Sequence, residues 1–126
     1  VSRDDAEPTI APRLRALPRR RVLGIEVAVA LGPRARLLGL AHLSRKRAGA
    51  GLLIPGCASV HTFGMRFALD LVFLDAAGEV LAVQRGVGPR RLRWRRGAGA
   101  VLEIPTGAWS SPGRCAGEDC GAGSSP

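Results

Sequence analysis

Apolar residues recur with a period of two in several short stretches of this chain, and only one stretch carries the helical period. From Val22 to Ala30, Ile25, Val27 and Val29 alternate with Glu26, Ala28 and Ala30, the spacing of a half-buried strand. Leu52-Leu53-Ile54 is a brief apolar run cut off by Pro55-Gly56. Leu69–Leu74 and Glu79–Gln84 flank Asp75-Ala76-Ala77-Gly78, where Asp opens a turn and Gly supplies a positive φ, so the pair predicts an antiparallel hairpin. Leu92 and Trp94 share one face of a short strand inside an Arg-rich loop, and Ala100–Ile104 is the last strand, closed by Pro105. The helical stretch follows Gly32-Pro33, with Arg34, Leu37, Leu38 and Ala41 at helical spacing before Gly39 weakens the pattern.

The pattern predicts a mainly β fold: a compact single-domain β-sandwich or barrel-like antiparallel sheet with one short helix. At 126 residues the chain holds one core, and 46% hydrophobic content argues against disorder, while 17 Gly and 9 Pro favour turns over long helices. Three segments are expected: residues 1–20 as a mobile basic arm, 21–107 as the β-rich domain, and 108–126 as a Gly/Ser/Pro-rich flexible tail.

The chemistry gathers in Cys57–Asp75, CASVHTFGMRFALDLVFLD. In an extended backbone Cys57, Ser59, His61 and Phe63 share one side, and Gly64 marks a bend. Cys57 and His61 have the residue types of a thiolate nucleophile and its base, yet four strand residues separate them by roughly 13 Å. Cys57 is also read as a small buried hydrophobe. Cys57, His61 and Met65 would suit Cu(I), and Cys57, His61, Cys115 and Cys120 would suit zinc, but no metal or cofactor is expected. Asp70 lies on the same face as Val72 and Leu74, so its carboxylate needs a partner; Arg66 and His61 are the nearest cations in sequence. His61, Thr62, Met65, Arg66 and Asp70 are therefore the expected ligand-binding group, or else a network that only satisfies itself and fixes the bend. Asp75 is assigned to turn geometry, Glu103 to a solvent-facing strand position, and His42 to a cap or a water-facing site.

The formal charge is +9 at pH 7, and Lys46 is the single lysine among 19 cations. With Arg so dominant and no Tyr, the charge reflects compositional bias as much as an anionic partner. Arg90, Arg91, Arg93, Arg95 and Arg96 around Trp94 form the one nucleic-acid or anionic-membrane signal, set against a solvated basic face with Trp94 packed into the core. No apolar run approaches the roughly 18 residues of a membrane span. The start of the chain shows no recognisable secretion signal, and three cysteines make no disulfide framework, so a cytoplasmic location is expected.

Three blocks carry a family resemblance: RLLGL (Arg36–Leu40), GLLIPGCASVHTFGMRFALDLVFLDAAGEVLAV (Gly51–Val83) and AVLEIPTG (Ala100–Gly107). In their order and spacing they resemble domain of unknown function 192, over roughly Val22–Gly107. The resemblance implies a small sandwich-like or barrel-like β domain with one short helix, and implies no activity. Members often carry a secretion signal and a helical, charged C-terminal end; this chain shows neither. The expectation is a small noncatalytic binding domain for a polar small molecule or a partner-protein segment. The alternatives are a Cys- or metal-dependent enzyme centred on Cys57 and His61, and an Arg-driven adaptor.

Overall fold

Alternating residues on five strands face opposite ways and both sides are buried, so one sheet carries two cores. A computed structural model describes residues 10–109. In chain order the elements are α1 (Pro12–Arg15), β1 (Arg19–Val22), β2 (Ile25–Val29), α2 (Pro33–Leu38), a 3-10 turn (Lys46–Ala48), β3 (Leu52–Pro55), β4 (Ser59–His61), β5 (Leu69–Leu74), β6 (Val80–Val87), β7 (Leu92–Trp94) and β8 (Ala100–Pro105). Six strands form a sheet in the order β1-β2-β3-β8-β5-β6, and β4 and β7 form a separate two-stranded ribbon. The fold is mainly β, as expected, but the sheet is mixed and open: β2 and β3 are parallel, and β1 and β6 are its edges. A parallel pair needs a crossover, and α2 with the 3-10 turn supplies it.

On one face Ala28, Leu52, Ile54, Leu69, Leu71, Phe73 and Val101 pack with Leu14 of α1, Leu40, Ala48, Val60 of β4 and Met65. On the other, Val27, Val29, Leu53, Val72, Leu102 and Ile104 pack with Trp109 and with Val22 and Leu23 at the β1–β2 turn. All six residues of β5 are buried for this reason.

The expected boundaries shift at the N-terminal end. Val22–Ala30 is not one strand: Leu23 and Gly24 both take positive φ (51° and 84°) and turn the chain back, pairing Val22 with Ile25. Two consecutive positive-φ residues make the hairpin turn whose twist suits two strands. The mobile-arm expectation is likewise corrected for residues 10–20. Ala11 and Leu14 are buried, Ala11 N donates to Arg47 O at 3.0 Å, and Arg19 and Arg20 sit in β1. The remaining arm residues 1–9, and the tail expectation beyond 109 with Cys115 and Cys120, lie outside the described residues. Trp109, placed in that tail, is buried instead. Among the described residues no helix is long and apolar enough to cross a membrane.

Candidate functional site

Four segments converge beside α2. That helix ends at Gly39, whose φ of 53° and ψ of −129° suit glycine alone, and the chain drops into the core at Leu40. A Cβ on Gly39 would lie 3.0 Å from Glu103 Oε1, so the missing side chain is what lets the β8 carboxyl fit beneath the helix end. Across from it, β4 presents Ser59 and His61, and Met65 follows the bend at Gly64 (φ 83°). Between them lies a cleft of about 70 Å³ walled by Arg36, Leu37, Cys57, His61, Phe63 and Met65, with Glu103 also lining it.

Glu103 overturns its solvent-facing expectation: it is 3% exposed. Burial pushes its carboxyl up to about 8, against the opposing pull of the Leu40 N–H that it accepts. At neutral pH the group is mostly the uncharged acid, and an uncharged acid can donate a hydrogen bond.

The other expected groups separate. Cys57 is half-buried rather than buried, and its Sγ donates to Ser59 O at 2.8 Å. His61 Nδ1 accepts from Phe63 N at 3.3 Å, which in the neutral ring leaves the proton on Nε2, and the two rings lie 5.6 Å apart. Neither the thiol nor the imidazole is directed at the other. Among the described residues no three His, Cys, Asp or Glu side chains are grouped to hold a metal ion. Thr62 is fully buried, and its hydroxyl donates to Gly88 O at 2.7 Å and accepts from Arg91 N at 2.8 Å. It pins the ribbon's loop and does not face the cleft.

Asp70 is buried, as its apolar face required, but its partners are neither Arg66 nor His61. Oδ2 accepts from Arg85 Nη1 at 3.2 Å and Gly107 N at 3.4 Å; Oδ1 accepts from Gly86 N at 2.8 Å and Thr106 Oγ1 at 3.0 Å. One extra β6 residue between the Leu69–Val87 and Leu71–Gln84 pairs makes a bulge that turns Gly86 N towards the carboxylate. Arg85 also lies over the Trp109 ring, 5.5 Å from its centroid. Arg66 is exposed and has no ion-pair partner among the described residues. Of the five expected ligand residues, only His61 and Met65 reach the cleft. The residue missed was Glu103, and the signal for it was a carboxylate inside an otherwise apolar strand, Val101–Ile104.

Trp94 is also corrected: it is 51% exposed, on the ribbon, not packed into the core. Arg90, Arg91 and Arg96 are exposed, while Arg93 and Arg95 are half-buried.

A second groove, of about 250 Å³, lies on the other side of Gly39 between α1 and α2. It is larger, but its walls are mostly aliphatic, and Arg13 there already donates through Nη2 to Gly39 O and Ala41 O at 3.0 and 2.8 Å. The smaller cleft is where an acid, an imidazole, a thiol and a thioether meet.

No protein of curated function matches the chain. Two crystal structures share its fold. One, from Sinorhizobium meliloti 1021, is provisionally named a transcription regulator; it is 19% identical over 71% of this chain and 79% of its own, with a TM-score of 0.54. The other, a protein of unknown function from Novosphingobium aromaticivorans DSM 12444, is 18% identical over 77% and 87%, with a TM-score of 0.53. The model of a family described as "Uncharacterized ACR" matches residues 16–119, and the chain belongs to that family, domain of unknown function 192.

Proposed function

We propose that the domain is a noncatalytic binding module whose cleft takes one small polar group, at the end of a metabolite or of a partner-protein segment. The observation that supports this is the Glu103 carboxyl: buried, held as the neutral acid, and lining a cleft whose other walls are mainly apolar, sulfur and imidazole surface, with Arg36 and Ser59 beside them. A donor set in low-dielectric surroundings gives an acceptor-bearing ligand a stronger bond than water does. With about 70 Å³ available, the cleft is far below the roughly 300–1,000 Å³ of pockets that enclose a whole ligand. It recognises a group such as a carbonyl or carboxylate, with Arg36 at the rim favouring a negative charge. A cytoplasmic location is part of this reading, supported by the free thiol of Cys57.

The test is thermal stability against a panel of small carboxylates, amides and peptides at pH 6.5 and pH 9. A ligand at a hundred times its Kd adds about 2.7 kcal/mol of stability. Binding is expected at the lower pH and weakened at the higher, where Glu103 ionises, while Glu103→Gln, a permanent donor, removes the pH dependence. No stabilisation by any panel member at pH 6.5 would sink the reading.

A further inference from the structure

We propose that the outer face of the β4–β7 ribbon, together with the exposed tip of α2, docks on an anionic lipid bilayer. Residues directly opposed in an antiparallel pair point to the same side. His61 is opposed to Leu92 and Ser59 to Trp94, while the intervening pair, Val60 and Arg93, points the other way, and Val60 is in the core. Leu92 and Trp94 therefore face outward beside His61. The His61 ring touches Phe63, and Phe63 and Leu37 stand at the same cleft mouth. Leu37, Phe63, Leu92 and Trp94 are 66%, 54%, 55% and 51% exposed, which makes one apolar face around His61 rather than scattered side chains.

The charge around this face has one sign. Arg36, Arg66, Arg90, Arg91 and Arg96 are exposed in the segments that build it, and none has an ion-pair partner among the described residues. Of the acidic residues described, Asp70 and Glu103 are buried, Glu26 is on β2, and Asp75 and Glu79 are at the β5–β6 turn. An anionic bilayer uses every part of this arrangement: Trp94 at headgroup level, aliphatic Leu37 and Leu92 at the acyl boundary, and guanidinium groups on lipid phosphates. A single-stranded nucleic acid would use Trp94 and the arginines but has no role for the exposed leucines.

The experiment mixes the full chain with vesicles of equal phosphatidylcholine and phosphatidylglycerol, or of phosphatidylcholine alone, and follows co-sedimentation and tryptophan emission. Trp109 is buried, so a blue shift reports Trp94. Binding is expected only to the anionic vesicles, falling steeply with added salt. Each arginine removed, Arg91→Gln or Arg96→Gln, should lower partitioning about fivefold. The double variant Leu92→Ser, Trp94→Ser should lose co-sedimentation while keeping its circular dichroism. Neither residue lines the cleft, so this result is independent of ligand binding there. Equal binding to neutral vesicles, no binding to either, tighter binding to a single-stranded oligonucleotide, or self-association through this face would each overturn the proposal.

Discussion

Glu103 and Asp70 are both buried carboxyl groups, yet their surroundings treat charge oppositely. Asp70 is ringed by four donors, one of them a guanidinium, whereas Glu103 has the Leu40 N–H against full burial. The fold therefore prefers Glu103 protonated, up to about pH 8 against an ordinary value of 4.5. Between those values the unfolded chain has released the proton and the native chain holds it, so stability falls as pH rises, at up to about 1.4 kcal/mol per pH unit, and levels off above 8. Urea unfolding at pH 5, 6, 7 and 8 should show wild type losing stability relative to Glu103→Gln across that window; parallel curves would show that Glu103 is ordinarily ionised. Alternation along Val101–Ile104 sends Glu103 to solvent, a rule that holds only when one face of the sheet is open, and the strand's otherwise apolar composition was the one sign against it. Here β8 is central and both faces are covered, a property of the assembled sheet. Asp70 was half legible: its burial followed from Val72 and Leu74, but Arg85 and Thr106 are 15 and 36 residues away and reach it only through strand register.

Among the elements, hairpin β5–β6 was the most readable because its turn chemistry is local: Asp75 Oδ1 accepts from Ala77 N and Glu79 N at 2.8 and 2.9 Å. The β1–β2 hairpin was missed because Leu occupies a turn position that Asn or Asp usually marks. Leu92 and Trp94 gave β7 correctly, but its partner β4 lies about 30 residues earlier, and nothing local to either names the other. Asp70 joins β5 to the bulge of β6 and the end of β8, so it acts on three elements at once. Asp70→Ala should strand Gly86 N and Thr106 Oγ1 and leave Arg85 unpaired, costing about 2–4 kcal/mol of unfolding free energy. Asp70→Asn, which keeps the shape and one acceptor oxygen for Gly86 N and Thr106 Oγ1 but sets an NH2 donor against Arg85 and Gly107 N, should cost about half as much by the same measurement. Equal losses for both would assign the effect to the lost negative charge, because Asn keeps the shape of the side chain; no loss in either variant would show that the carboxylate does not tie the three elements together.

At the scale of the whole molecule, the two-sided sheet needs a cover on each face, and on the cleft side part of that cover comes from before β1. Leu14 fills the core there, and Arg13 holds the Gly39 and Ala41 carbonyls, the same strand of chain whose Leu40 N–H bonds Glu103. The first α1 turn therefore braces the cleft from behind, although proline punctuation and charge made residues 1–20 resemble a loose arm. Removing residues 1–17 should expose Leu14's site and free both carbonyls, at a cost of about 3–5 kcal/mol, a large share of a small domain's stability. The loss should carry a signature beyond the magnitude. Water reaching Gly39 would hydrate the Glu103 carboxyl and return it towards 4.5, so the difference between the truncated chain and its Glu103→Gln variant should become flat with pH. A truncated chain that keeps the wild-type pH slope would show that the cleft side stands without α1, and that the arm is dispensable to the site after all.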